Sequence, residues 1–383
     1  MRLTFALAAS AAAAYLLWRV HCERERTRLL AVIRIQSARR GILSRRRHGV
    51  VGKYDPYDGF SPRQRNAVIR IQRFVRVRSS REVIYRGQAE DPVQKAPAAP
   101  GALQVQAGGH TNTLKADASG YVLKTTHPRE AAAYESVQGT ALEKLFPGFG
   151  GRKRTDSDKN VIVKLQNLVG GLAAPCVMDI KMGTRTFEEK EVHSTGKDKK
   201  YADKMYKLDP TSVTDEERTT GVTKFRYMSF REARSSSAAF GWRIDGLLVN
   251  GSGYPDCKEL QSAGQLGDAL HHFVQGRADL AASFQVRLEH MSAVLAASDW
   301  FAAHELVGTS LLFVYDDSAS GDALLASATV HMIDFAKTFP LDAGRKLTHR
   351  APWELGNRED GYLRGMDHLI RAWDGTQRKC RAA

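Results

Sequence analysis

An α+β body behind a long basic arm is the architecture that this 383-residue chain predicts. Three observations lead there. From about Leu103 onward, short apolar runs of strand length alternate with longer segments of helical period, the pattern of a mixed class. The net charge of +15 is lopsided: 20 Lys/Arg stand against 6 Asp/Glu through residue 90, and 37 against 36 beyond it. Between the two regimes, "DPVQKAPAAPGA" reads as a Pro/Ala linker over 91–102.

The basicity therefore belongs to the arm, and the body over 103–383 is nearly neutral. That balance, with no interleaved aromatic platform, argues against a nucleic-acid-binding role. The four cysteines, Cys22, Cys176, Cys257 and Cys380, are scattered without a C-x-x-C pair. Neither a zinc knuckle nor a disulfide framework is indicated, and a reducing compartment is expected.

Within the arm, residues 1–20 hold the apolar run "LTFALAASAAAAYLLW". At about 1.5 Å per residue it reaches roughly 24 Å, slightly short of a bilayer core of about 30 Å. A signal anchor, a cleaved signal peptide and an organellar presequence compete here. Arg19, Arg24, Arg26 and Arg28 follow the run, so the positive-inside tendency favours an anchored chain whose remainder faces the cytosol. Residues 21–90 then carry "AVIRIQ" twice. Ile35, Gln36, Arg40, Gly41 and Arg45 fit I-Q-x-x-x-R-G-x-x-x-R; the second copy has Ile71, Gln72, Arg76 and Arg81, with Val77 in place of the glycine. Both resemble IQ motifs, basic amphipathic helices that calmodulin-type proteins clasp. Two copies favour a calmodulin-like partner over the competing reading, a basic helix lying on anionic lipid.

In the body, "GYVLK" predicts a strand ending at Lys124, and "TTHPREAAAYESVQGTALEKLF" a helix with Pro128 in its first turn and with Glu130 and Glu135 along it. "NVIVKLQNLV" is a further strand running into "PCVMDIKMGTRTF". Lysine on a strand, acidic helix, then a strand leading to a hinge is the element order of a kinase N-lobe. No Walker loop, H-R-D or D-F-G is present, which excludes a protein kinase. Alternation in the strand-like "CVMDIKM" sends Asp179 and Lys181 to one face. Burying such a pair among hydrophobes is costly unless something requires it. Farther on, "HELVGTSLLFVYDD" and "ASATVHMIDFAKTFPL" read as two strands with a turn at "DSASGD", the second delivering Asp334 at its end. An aspartate so placed, in a site with lysines, is what a magnesium–phosphate complex requires.

Residues 104–375 closely resemble the inositol-1,4,5-trisphosphate 3-kinases, within the wider inositol polyphosphate kinase family. The family's P-x-x-x-D-x-K-x-G stands as Pro175, Asp179, Lys181 and Gly183, its S-L-L as Ser310-Leu311-Leu312 and its I-D-F as Ile333-Asp334-Phe335. "VTKFRYMSFREARSS", "FGWRIDGL" and "APWELGNREDGYLRGM" narrow the match to the trisphosphate 3-kinases, and "QAGGHTNTLKA" resembles the start of their catalytic domain.

The resemblance implies a two-lobed inositol polyphosphate kinase fold, akin to ATP-grasp enzymes and protein kinases, with ATP between the lobes. A helical lobe for the inositol phosphate is expected as an insertion at about 188–235. By that resemblance Lys124 touches ATP phosphates, Gln166, Asn167 and Leu168 form the hinge at adenine, and Asp179 binds ribose. Lys181 bridges the transferred phosphate and the inositol. Ser310 and Asp334 hold the Mg2+–triphosphate, and Lys224, Tyr227 and Arg231 bind substrate phosphates, with Lys337 a further contact. Phe230 and Tyr201 depart from the family's pattern, and Tyr201 bears on which inositol isomer is taken. The implied activity is ATP-dependent phosphorylation of inositol 1,4,5-trisphosphate at the 3-hydroxyl under calcium–calmodulin control. A broader multikinase or hexakisphosphate kinase, and a membrane-tethered scaffold with an inactive kinase domain, are the alternatives. The long insertion argues against the first pair. Retention of Lys124, Asp179, Lys181, Ser310 and Asp334 together argues against the scaffold.

Overall fold

The computed structural model describes residues 114–117, 120–155 and 159–382. The apolar segment 1–20, both IQ-like motifs, the arm over 21–90 and the linker over 91–102 lie outside the described residues.

The fold is α+β and is built on two antiparallel sheets. The first contains β1 (Leu114–Ala116), β2 (Tyr121–Thr126), β3 (Phe149–Arg154) and β4 (Val161–Gln166), ordered β1-β2-β4-β3. Helix α1 (Pro128–Ser136) leaves β2 with Pro128 in its first turn and His127 as its cap, Nδ1 accepting from the Arg129 amide. It stops at Ser136, well before the end of the apolar-periodic stretch; only a short 3-10 turn, Glu143–Leu145, follows.

After β5 (Pro175–Met182), residues 188–235 contain α2 (Glu189–Val192), β6 (Lys197–Asp198), α3 (Lys199–Leu208), α4 (Asp215–Thr220), β7 (Val222–Thr223) and α5 (Lys224–Ala233). They have a small core of their own, Ala202, Met205, Val213 and Val222, with Tyr201, Tyr227 and Phe230 against it. Then come α6 (Ser237–Phe240), β8 (Trp242–Val249), β9 (Ser252–Gly253), α7 (Ala263–Phe273), α8 (Ala278–Ala296) and α9 (Asp299–Ala302). The chain finishes with β10 (His304–Leu306), β11 (Ser310–Asp316), α10 (Gly321–Ser327), β12 (Thr329–Ile333), β13 (Thr338–Pro340) and α11 (Tyr362–Ala382). The second sheet is ordered β12-β11-β5-β8-β9, so β5 is central.

Two expected strands are each broken. "HELVGTSLLFVYDD" divides into β10 and β11 at Gly308, which holds φ +69°. "ASATVHMIDFAKTFPL" divides into β12 and β13 at Asp334, φ +67°. Left-handed backbone cannot continue a ladder, and β10 pairs instead with β13 in a separate two-stranded sheet. The "DSASGD" turn leads into α10 rather than directly into the next strand.

Helices α8 and α11 cover the second sheet, where Trp373 meets Phe284 (5.2 Å) and Phe313 (5.7 Å). The start of α11 approaches the backbone at Gly241 so closely that a Cβ on Gly365 would lie 2.0 Å from the Gly241 carbonyl oxygen, a place only glycine fills. Just before α11, the fully buried His349 and Asp360 form an ion pair. The ring donates from Nδ1 to Asp360 (2.9 Å) and from Nε2 to the Phe301 carbonyl (2.9 Å), so both nitrogens carry protons. Burial alone would lower the His349 pKa, but the Asp360 charge and these hydrogen bonds outweigh it and hold it above the usual histidine range. A raised folded pKa gives stability that is fully present below the unfolded value of about 6.5 and is lost as pH climbs through the folded value. His349→Gln is expected to cost about 3–5 kcal/mol at pH 6. Urea unfolding from pH 6 to 9 should show the gap between wild type and variant narrowing with pH; a constant gap would mean a neutral ring.

Candidate functional site

Strand β5 carries the densest chemistry. Its ladder with β11 sets Lys181 opposite Ser310 and Asp179 opposite Leu312, while β11 in turn sets Ser310 opposite Ile333. Lys181, Ser310 and the residue before Asp334 thus share one rung across three strands. On the other side, the β5–β8 register slips between Asp179 and Ile180: Asp179 faces Gly246, whereas Ile180 faces Ile244. The extra residue of that bulge is Asp245, and bulges of this kind re-aim side chains at sites.

Asp334 is the junction. Its Oδ1 accepts from Lys124 Nζ at 2.7 Å, and its Oδ2 lies 4.0 Å from Lys181 Nζ. Lys124 comes from β2 of the first sheet and also donates to Glu130 of α1 at 2.7 Å. Lys181 donates to the Gly308 carbonyl at 3.1 Å. Phe335 explains why Asp334 stays put. Its ring is fully buried, stacked on Phe146 at 4.3 Å and edge-on to Tyr134 at 5.4 Å. An aspartate held at φ +67° is a sparsely populated conformation that packing of this sort can hold in place. At the end of β5, Gly183 (φ +100°) lets the chain turn beneath the Asp360 carbonyl, which a Cβ there would approach to 3.0 Å.

Burial acts on every charge here. Burial opposes ionisation of Asp334, but Lys124 and Lys181 overcome it and hold its carboxyl below the usual range. Lys124 is likewise pushed down by burial and then lifted above the ordinary lysine range by Asp334 and Glu130. Asp245, although buried, is held low by Lys181, Arg243 and Lys258. Asp179 goes the other way. Burial pushes it up to about 6, against the pull of Lys181 and with Asp334 and Asp245 adding to the rise.

A second cationic group lies in the 188–235 segment. Thr223 caps α5, its hydroxyl accepting from the Arg226 amide. Lys224, Tyr227 and Arg231 follow at spacings of three and four, so one helical face presents all three. Tyr227 stacks on Tyr201 at 5.0 Å. Lys224 pairs with Glu191 of α2, and Lys337 lies 3.8 Å from Glu188. Lys337 also donates to the Thr186 carbonyl at 3.4 Å, and burial, then the Lys224 and Lys181 ammoniums, hold it below the ordinary lysine range.

The structure therefore brings Lys124, Asp179, Lys181, Ser310 and Asp334 together, and places Lys224 and Lys337 against the neighbouring acids Glu191 and Glu188. Gln166, Asn167 and Leu168 stand at the crossing from the first sheet to the second. There the Gln166 side chain accepts from the Gly148 amide (3.2 Å) and the Asn167 amide donates to the Gly120 carbonyl (3.1 Å). Ile35, Gln36, Arg40, Ile71, Gln72 and Arg76 lie outside the described residues. Sequence reasoning missed Asp245, Glu188 and Glu191. Asp245 sits unmarked in "FGWRIDGL", because a bulge depends on pairing; the acidic run "EEKE" at the edge of a lysine-rich stretch was the available signal for the other two.

Partly buried lysines and carboxylates meeting at a seam between two sheets suit a centre that handles phosphate. A model of the inositol polyphosphate kinase family matches residues 162–374, more than half the chain, and the chain belongs to that family. Inositol-trisphosphate 3-kinase A of Rattus norvegicus is 40% identical over 273 residues, 70% of this chain and 58% of the relative. Inositol-trisphosphate 3-kinase B of Homo sapiens is 35% identical over 272 residues, 70% of this chain and 28% of the relative. The chain thus spans less than two thirds of these relatives. Among solved structures, inositol phosphate multikinase Ipk2 of S. cerevisiae, in complex with ADP and Mn2+, matches with a TM-score of 0.44 at 16% identity, covering 67% of this chain and 98% of that one.

The raised Asp179 pKa has a consequence for stability. A buried carboxyl titrating near 6 rather than about 4 costs the fold nothing below pH 4 and its full penalty above pH 6. Asp179→Asn removes that charge at nearly constant shape. At pH 8 it is expected to be more stable than wild type by about 1–3 kcal/mol, with the gain vanishing by pH 4. Thermal melts across this range test the sign; a variant less stable at pH 8 would mean that the carboxylate is paired rather than strained.

Proposed function

We propose that this chain transfers the γ-phosphoryl group of ATP to the 3-hydroxyl of inositol 1,4,5-trisphosphate, giving inositol 1,3,4,5-tetrakisphosphate. The observation that carries the reading is the meeting of Lys124, Asp334 and Lys181 where the two sheets join, with Lys224, Tyr227 and Arg231 on one face of α5 as a second cationic group. The first group suits a nucleotide and the second an acceptor. The relatives at 35–40% identity support the same substrate.

ATP and Mg2+ suit the residues present. Asp179 and the Ser310 hydroxyl are buried and interact with each other, but neither Asp179 Oδ1 nor Ser310 Oγ makes a well-formed hydrogen bond among the described residues, which leaves both able to meet a ligand. No group of three or more His, Cys, Asp or Glu among the described residues forms a metal cage, which fits an ion held by one or two carboxylates together with nucleotide phosphates. Asp334 and Ser310 would hold that ion, which supplies charge neutralisation on the triphosphate. Lys124 contacts the nucleotide phosphates, Gln166, Asn167 and Leu168 meet adenine, and Asp179 meets ribose. Lys181 stands where donor and acceptor phosphates approach and stabilises the charge that spreads over the moving group. Lys224, Tyr227 and Arg231 hold the acceptor phosphates within the 188–235 lobe and orient its hydroxyl.

Incubation of the purified chain with Mg-ATP and a panel of inositol phosphates, with product isomers identified, tests the assignment; turnover of inositol hexakisphosphate instead would overturn it. In the same assay Arg231→Ala is expected to raise the acceptor KM by roughly 10- to 150-fold, the worth of a hydrogen bond to a charged group, with little change in the KM for ATP. Arg231→Lys should rescue only in part, because an ammonium lacks the paired donors of a guanidinium.

For the arm, we propose that residues 1–20 tether the chain to a membrane and leave the catalytic body on the cytosolic side. The IQ-like segments at Ile35–Arg45 and Ile71–Arg81 bind calmodulin or a relative. Among the described residues no helix is long and apolar enough to cross a membrane, so the tether rests on the arm. Titration of the chain with calmodulin, with and without calcium, should give a complex that Ile35→Glu and Ile71→Glu together abolish; no complex in either state would leave lipid as the partner.

A further inference from the structure

The acidic start of the 188–235 segment has no part in the function just described. Three of its carboxylates go to three different places. Glu189 Oε1 accepts from the Trp353 indole and from the Gly356 and Arg358 amides, at 3.0–3.2 Å, and fixes the root of the segment to the loop before α11. Glu188 lies against Lys190 (2.7 Å) and Lys337 (3.8 Å). Glu191 pairs with Lys224, while its second oxygen accepts from the Glu188 amide at 3.1 Å in a capping box that keeps the carboxylate in place. Its side chain is 10% exposed, against 36% for that of Lys224.

We propose that Glu191, assisted by Glu188, is a built-in competitor for the acceptor-phosphate site: its carboxylate holds Lys224 until a polyphosphorylated acceptor displaces it. The inference rests on the reading of α5 as the acceptor face. Glu191 and Glu188 are the anions beside Lys224 and Lys337, and without them these ammoniums would attract any phosphate. The carboxylates impose a fixed displacement cost on every anion that uses Lys224. A ligand with three phosphates recovers that cost from its other contacts. Inorganic phosphate has no other contacts, so the cost appears in full as weaker binding. Glu191 thus sets the affinity threshold of the site, acting through Lys224 without touching the transferred group.

Glu191→Gln tests this, because the amide oxygen still accepts from the Glu188 amide. With the full chain and Mg-ATP, the KM for inositol 1,4,5-trisphosphate and the inhibition constant of inorganic phosphate should both fall, by roughly 3- to 30-fold. The ATP KM and kcat should hold. In the Lys224→Ala background the same substitution should give no gain. Glu189→Ala, which loosens the root without freeing Lys224, should not lower the acceptor KM. A raised acceptor KM in Glu191→Gln would overturn the proposal and make Glu191 a support for Lys224. So would a gain that persists without Lys224, or an equal gain from Glu189→Ala. A wild-type chain that neither binds nor phosphorylates the trisphosphate would instead remove the reading of α5, and the competition with it.

Discussion

Charge balance at the seam between the two sheets is the constraint on which the rest of the structure depends. Lys124 and Lys181 approach one carboxylate, Asp334, from different sheets. In a partly dehydrated setting each would be expensive alone, and removing any one leaves an uncompensated charge. The neighbouring features serve that balance. Stacking on Phe146 fixes Phe335 and hence the Asp334 backbone, the β8 bulge brings in Asp245, and Glu130 steadies Lys124 from the far side. Asp179 is the carboxyl that the local cations leave under-compensated, and its elevated pKa follows.

The same bookkeeping governs the helical segment. A body that is close to neutral overall cannot attract a polyanion by its general field and must gather cations at one place. Gathering them creates repulsion when no ligand is bound, and acids at the root of the segment relieve it. One of those acids is structural, pinned by three donors; the others are paired with the lysines themselves. A small separate core, with Met205 and Ala202 under Tyr201 and Tyr227, gives the lysine face a rigid backing that does not draw on the main core.

Much of this was legible in residue order. Two strands of the first sheet, β2 and β4, and the helix opened by Pro128 follow from period and capping; the short motifs marked Asp179, Lys181, Ser310 and Asp334 as one set, and the family resemblance added Lys124 and the segment of helices beyond Phe187. What escaped had non-local causes. The breaks at Gly308 and Asp334 arise because β10 and β13 pair with each other, which no window of local sequence contains. Helix α1 ends at Ser136 although the pattern continues, since the following residues serve the aromatic cluster around Phe146. Asp245 acquires its place from a register slip, and Glu191 from a partner 33 residues away. Pairing register and salt-bridge choice are decided by the assembled fold, whereas alternation and caps are decided within a turn or two.

Lys124 and Asp334 are 210 residues apart in the chain, and this separation governs when the protein becomes itself. At about 5–20 residues per second of synthesis, the second partner follows the first after roughly 10–40 seconds. For much of that interval, once β5 has been made, the nascent chain carries Lys124 and Lys181 without the carboxylate that joins them, and until residue 310 is reached β5 lacks β11, its neighbour in the finished sheet. Contacts this distant also close slowly once both partners exist. A chain halted after β8 and before β11 therefore holds Lys124 and Lys181 without their carboxylate and leaves the β11 edge of β5 unpaired.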